Sequence, residues 1–271
     1  MDPRPGWTFR PEAVLRAGGA IFALIAAGLV AFLVTTHVAA IDPNTIAPVG
    51  TPIATSPTPT PPPLTDVGRA DLGSVVTVEV DVDLSTEESL GTGWIFDSEG
   101  DIVTNAHVVE GHSAIRVTDR EDHTELAVVL GTEYDENADI ALLRPMSHLS
   151  GTPLPVDDTA IARVPLSAIV LASSTATGKT DMTPETVVGL DAEVPLAGNG
   201  GQQSQAAPAV YDGMMHLQGA RIYEGNSGGP LLNAAGQVIG VLTLASPTSA
   251  DAYAIPISRV LSELTAWSHS G

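Results

Sequence analysis

The sequence predicts an all-β domain of the sandwich or barrel kind, preceded by one transmembrane helix and closed by a C-terminal helix. Three observations point there. From Leu72 onward, short β-branched and apolar runs (74–80, 94–96, 114–117, 126–130, 140–143) are separated by Gly, Asp and Ser turns, the texture of many short strands. Residues 17–40 are almost wholly apolar and carry no charge. Residues 258–267 set Val260, Leu261 and Leu264 on one helical face behind Ser258, which reads as an N-cap.

Taken in order, residues 1–16 are a short polar start bearing Arg4, Arg10 and Arg16. The apolar stretch that follows is long enough to cross a bilayer at about 1.5 Å per residue. Three basic residues precede it and none follows until Arg69. The positive-inside rule therefore puts the N-terminus in the cytoplasm and the rest outside, as a single-pass protein of the cell membrane. Cleavage near Val38-Ala39-Ala40 is the rival reading and would release a secreted domain. The stretch exceeds the roughly 7–15 residues of a signal-peptide core, which favours a retained anchor. Residues 41–65 form a linker, with eight prolines between 42 and 63 among Thr, Ser and Ala. Such a segment builds no ladder and prefers an extended conformation, so it reads as a semi-rigid stalk, or else as a ligand for a proline-binding domain. The folded domain is expected over 66–271.

Charge narrows the partners. The chain has 11 basic and 32 acidic residues, and the region from Asp66 carries the whole net charge of −21, with 8 basic against 29 acidic. That argues against nucleic acid or an anionic membrane surface. There are no cysteines, so disulfides and thiolate metal sites are excluded, and neither a metal nor a cofactor is expected. Residues 175–181 and 198–209 are the loosest parts of the C-terminal half; the run from Gly198 to Gln205 is too polar and glycine-rich for a core and reads as a surface loop.

The chemistry concentrates in Gly225-Asn226-Ser227-Gly228-Gly229-Pro230. A serine hydroxyl is a poor nucleophile unless a tight turn presents it to a base and to backbone N–H groups that hold an oxyanion. Glycines on both sides allow such a turn, although Gly/Asn/Ser clusters also mark ordinary surface turns. Two upstream segments supply partners at the edges of apolar runs: His107 in Thr104-Asn105-Ala106-His107-Val108-Val109, and Asp139 in Ala138-Asp139-Ile140-Ala141-Leu142-Leu143. Imidazole titrates near neutrality, as a base in acyl transfer must. Asp135 and Glu136 compete with Asp139 for the third role; Asp139 directly precedes the apolar strand, whereas the other two read as a solvated turn.

These three segments, with Gly91-Thr92-Gly93-Trp94-Ile95-Phe96 before the histidine and Gly236-Gln237-Val238-Ile239-Gly240-Val241 after the serine, resemble the trypsin-like, chymotrypsin-fold serine proteases. The likeness is greatest to their bacterial HtrA/Deg branch and covers about residues 70–265. The resemblance implies two six-stranded antiparallel β-barrels, about 70–150 and 160–257, before the helix. It implies Ser227 as nucleophile, His107 as base and Asp139 as its orienting partner. The oxyanion hole would lie at Gly225, Asn226 and Ser227. Asn226 stands where zymogen-activated members carry an aspartate, and a neutral amide cannot pair with a newly freed N-terminus, so activation of that kind is not expected.

By the same resemblance the wall of the S1 pocket includes Thr243, Leu244 and Ala245, and its base lies near Arg221 and Ile222. With no acid six residues before Ser227, the expected preference is for small or medium aliphatic side chains. An inward Arg221 would favour acidic ones instead; on so acidic a surface Arg221 is expected to point outward or pair with Glu224. Partners implied are protein or peptide substrates, the membrane through the one N-terminal helix, and further copies of the chain. The sequence given ends shortly after the helix, so no PDZ domain is expected, unlike many HtrA/Deg relatives. A different class of reading is a protease-fold module that binds peptides or a partner without turnover.

Overall fold

Alternating β-branched residues fold into strands that bury one face, and continuous apolar runs into strands buried on both. The computed structural model describes residues 62–81, 88–159, 161, 163–174, 179–195, 210–219, 222–223, 225–246 and 249–270, all within one compact unit. The apolar segment 17–40 and most of the linker lie outside the described residues.

Barrel 1 comprises β1 (Val75–Asp81), β2 (Glu88–Ile95), β3 (Ile102–Thr104), β4 (Ile115–Thr118), β5 (Thr124–Tyr134) and β6 (Asp139–Pro145). Barrel 2 comprises β7 (Leu166–Ser174), β8 (Lys179–Pro195), β9 (Val210–Gly219), β10 (Pro230–Leu232), β11 (Val238–Ala245) and β12 (Asp251–Pro256). Both are closed and antiparallel, in the order β1-β2-β3-β6-β5-β4 and, equivalently, β7-β8-β9-β12-β11-β10. This is the two-barrel architecture the sequence leads one to expect, followed by the C-terminal helix.

The apolar runs read as doubly buried because the described residues form three cores. In β6, Ala141 and Leu143 join a cluster drawn from barrel 1 alone, while Ile140 and Leu142 face a cluster shared by both barrels. In β7, Ala168 and Val170 fill barrel 2 and Ile169 and Leu171 face the shared cluster. Trp94, Tyr211, Met214 and Ile255 complete this seam. The segments of His107, Asp139 and Ser227 lie along it.

Three details depart from the sequence reading. An α-helix, α1 (Leu64–Asp71), begins inside the expected linker. It is short and polar, and it forms because it packs on β7 and β8: a Cβ at Gly68 would come within 2.9 Å of Ile169 and 3.1 Å of Leu171. Lys179 to Asp181, expected as loop, open β8, while 175–178 and 196–209 lie outside the described residues. The last helix, α3 (Ile257–Ser268), is capped by Pro256 with no side-chain bond, so Ser258 is not its N-cap. Proline suits a helix start because it pre-sets φ and needs no N–H partner there. Its buried residues are Ile257, Val260 and Leu264, with Leu261 only half-buried.

The helix α3 continues from β12 of barrel 2, yet its far end is fastened to barrel 1. Arg144 of β6 grips the fully buried Asp101 with Nε and Nη2 at 2.7 and 2.8 Å, and Nη2 also donates to the Ser268 carbonyl at 3.2 Å. Removing the guanidinium would strand a buried carboxylate, which costs far more than the pair itself contributes. Arg144→Ala is therefore expected to lower the unfolding free energy by about 3 kcal/mol, measured as a lower urea midpoint at unchanged slope.

Candidate active site

The hexapeptide around Ser227 forms a tight turn between Ile222 and β10, with positive φ at Gly225 (88°) and Gly228 (88°). Only glycine adopts these angles without strain. Gly228 has a second reason to lack a side chain, since a Cβ there would land on the Thr92 carbonyl and the Thr104 hydroxyl of barrel 1.

Thr92 of β2 holds the turn from across the seam. Its N–H donates to the Ser227 carbonyl at 2.8 Å and its hydroxyl to the Gly225 carbonyl at 2.8 Å. The same hydroxyl accepts the Ser173 N–H at 2.9 Å, and the Thr92 carbonyl accepts the Thr104 hydroxyl at 2.7 Å. Asn226 pegs the turn from the other side. Its Oδ1 accepts the Tyr223 N–H at 2.9 Å and its Nδ2 donates to the Ser173 carbonyl at 2.8 Å. The buried amide is thus satisfied by neutral backbone groups, one donor and one acceptor, and needs no cation. Among the described residues the N–H groups of Gly225 and Ser227 make no hydrogen bond within the protein, which leaves both available to an oxyanion.

His107 lies in α2 (Ala106–Val109), a single turn after β3. Asp139 opens β6 and is fully buried. Its Oδ2 is 2.5 Å from His107 Nδ1, and its Oδ1 accepts the His107 N–H at 2.9 Å. Asn105, just before the turn, donates from Nδ2 to the Asp139 carbonyl at 2.6 Å and to the Thr243 hydroxyl at 3.1 Å. Burial would push the imidazole down, but the charge and hydrogen bond of Asp139, with Glu110 further off, outweigh it and hold the His107 pKa above its ordinary value. Asp135 and Glu136 are exposed and do not reach the histidine; Asp135 accepts the N–H groups of Asn137 and Ala138 in a turn.

Sequence reasoning missed Tyr211, whose hydroxyl donates to Asp139 Oδ2 at 2.6 Å. It stands just after a loop-like stretch, in barrel 2, with no local signal tying it to an aspartate of barrel 1. The Ser227 hydroxyl hydrogen-bonds the Thr243 carbonyl at 3.3 Å rather than His107. Thr243 is the extra residue of a β-bulge between β11 and β12, and bulges of this kind re-aim a backbone. Its side chain turns inward, to Val241 and Asn105, so its backbone rather than its side chain meets Ser227. Leu244 is half-buried, Ala245 exposed and Ile222 buried with the barrel 2 core. Arg221 and Glu224 lie outside the described residues.

A family model described as a trypsin-like peptidase domain matches residues 91–241. The serine protease PepD of Mycobacterium tuberculosis is 29% identical over 272 aligned residues, covering 93% of this chain and 55% of that protein. The mitochondrial serine protease HTRA2 of Bos taurus is 36% identical over 172 residues, 64% of this chain and 35% of that protein. The active form of the Rv3671c protease of M. tuberculosis, a solved structure, gives a TM-score of 0.62 at 25% identity, covering 78% of this chain and 91% of that one. The chain therefore spans between about a third and just over half the length of these two curated relatives.

Thr92→Val keeps the shape of the side chain but leaves the Gly225 carbonyl and the Ser173 N–H without their buried partner. A loss of about 2–6 kcal/mol is expected, at about 1–3 kcal/mol per orphaned group, with slower labelling of Ser227 by a fluorophosphonate. Thr92→Ser, which retains the hydroxyl, should recover most of both in the same urea and labelling measurements.

Proposed function

The chain belongs to the trypsin-like peptidase family, with serine proteases of HtrA type among its relatives, and on that premise we propose a serine endopeptidase that cleaves protein substrates through an acyl-enzyme. The observation that carries this reading is the pairing of His107 with the buried Asp139 at 2.5 Å, across the seam from a turn whose two N–H groups are unused. Ser227 Oγ attacks the scissile carbonyl. Before it does, its hydroxyl turns from the Thr243 carbonyl to His107 Nε2, which takes the proton and later gives it to the leaving amine. Asp139 keeps Nδ1 protonated and stabilises the imidazolium. The N–H groups of Gly225 and Ser227 hold the oxyanion, with Asn226 fixing the turn between them. A water then hydrolyses the acyl-serine along the reverse path.

The S1 site would take a small or medium aliphatic side chain, with Ile222 near its base and Leu244 and Ala245 along its wall. Asn226 supports a protease that needs no newly freed N-terminus, because the hydrogen bonds of its amide are already complete. The apolar segment 17–40 is proposed to anchor the chain in the cell membrane, with the protease domain outside the cytoplasm and the proline-rich stretch as its stalk. Protein substrates and further copies of the chain are its proposed partners. A second reading, an idle binding module, is favoured by one observation alone: Ser227 hydrogen-bonds Thr243 and not His107.

Ser227→Ala separates the two readings: casein cleavage and fluorophosphonate labelling should vanish, and a variant that cleaves as the parent does would end the protease reading. The base must be neutral to act, and its pKa is raised, so kcat/KM should rise with pH along a limb lying above about 6.5, the ordinary imidazole value. A limb at or below that value would remove His107 as the base. The stability linked to the imidazolium has the opposite sense, being fully present below about 6.5 and lost as pH rises through the raised value.

A further inference from the structure

We propose that Tyr211 is a positioning residue for the base: from barrel 2 it holds the Asp139 carboxylate in the orientation that fixes His107 in barrel 1. The inference rests on the protease reading above and concerns a contact which that mechanism does not use.

Asp139 Oδ2 receives two groups, His107 Nδ1 at 2.5 Å and the Tyr211 hydroxyl at 2.6 Å, while Oδ1 accepts the His107 N–H at 2.9 Å. The two bonds from His107 both come from α2. Tyr211 supplies the third from the other barrel, so the carboxylate is fixed from both sides of the seam. The phenol is itself rigidly placed. Its ring is 1% exposed, and the residue after it is tied to the segment that leads into Asp139: Asp212 donates its N–H to the Glu136 carbonyl at 2.7 Å. Arg259 of α3 closes the same junction, donating to the Asp212 carbonyl at 2.6 Å and to Asn137 Oδ1 at 3.0 Å.

The titratable groups acting on this site are Glu110 just after α2, Tyr134 on β5, Asp139 on β6 and Tyr211 on β9. Tyr134 pairs with Asp139 in the β5–β6 ladder and interacts with Tyr211 through its hydroxyl. Burial and the Asp139 charge push both phenols up, so each keeps its proton at any pH at which the enzyme works. Tyr211 is then a permanent donor to Oδ2. A donor on that oxygen draws off part of the negative charge felt by the imidazole, so it tempers the rise of the His107 pKa while it holds the geometry.

The test compares the full chain with Tyr211→Phe, Tyr134→Phe and Ser227→Ala, following the His107 imidazole by NMR titration and kcat and KM across pH. Tyr211→Phe keeps the ring, and a urea midpoint checks that the fold persists. In Tyr211→Phe the His107 pKa is expected to rise, moving the acid limb with it. Its kcat should fall by about tenfold to a hundredfold, as small misplacements of a catalytic group do, with KM little changed. Tyr134→Phe should shift the pKa in the same direction by less. A folded Tyr211→Phe whose His107 pKa and kcat both match the parent would overturn the inference, as would a fall in that pKa. Failure of the protease reading would look different: parent and Ser227→Ala would be equally inactive, or equally active, while the NMR titration still reported on Tyr211.

Discussion

The geometry of this molecule depends on one junction, the hydrogen bonds of Thr92, three of which cross the seam between the barrels. A turn built of glycines has little stiffness of its own, because each glycine that permits the unusual angles also enlarges the set of conformations to be excluded. Thr92 removes that freedom. It binds the carbonyls of Gly225 and Ser227, the N–H of Ser173 and the hydroxyl of Thr104, so β2, β3, β7 and the turn share one buried node. Among the described residues the N–H groups of Gly225 and Ser227 make no hydrogen bond, while that of Asn226 donates to the Tyr223 carbonyl.

The rest of the structure serves that junction by keeping two barrels in register. Each barrel fills its own interior, yet β6, β7 and β11 are apolar on both faces, and their outer faces make a third core between the barrels. Packing at native density resists sliding. Polar clasps add direction to it: Arg144 on Asp101 fastens α3 to barrel 1, and Arg259 joins the start of β9 to the turn before Asp139. The histidine and its aspartate lie on barrel 1, while the serine and Tyr211 lie on barrel 2, so the site exists only while both are docked.

Electrostatics set the character of His107. The chain is strongly acidic, and the charges that act on His107 are carboxylates. Asp139 is buried and fully hydrogen-bonded, so its charge is felt in a medium that screens it poorly. Asn226 follows the reverse logic. A buried aspartate there would need a cation, whereas the amide completes its bonds with one backbone donor and one backbone acceptor.

Much of this was legible in the residues. Gly225 to Pro230, the lead-in to His107 and the strand after Asp139 each carry a local pattern, glycines at a turn or a polar residue at the edge of an apolar run, and local patterns survive in a linear chain. The strand texture likewise followed from β-branched spacing, and the two-barrel topology from resemblance. The short helix α1 was not legible, because its stability comes from packing Gly68 against β7 and β8 rather than from its own polar sequence. The cap of α3 was misassigned for a related reason: Pro256 sits at the end of β12, and the strand decides where the helix starts.

What the sequence determined by itself was the alphabet of the site, a serine between glycines, a histidine and an aspartate, and the order in which the strands come. The tertiary structure alone decided that Thr92 would brace the Ser227 turn, that Thr243 would offer its carbonyl from a bulge, and that Tyr211 would reach Asp139 from the other barrel. Those contacts join residues 16 to 135 positions apart, and no periodicity or propensity within a single segment encodes a distance of that kind.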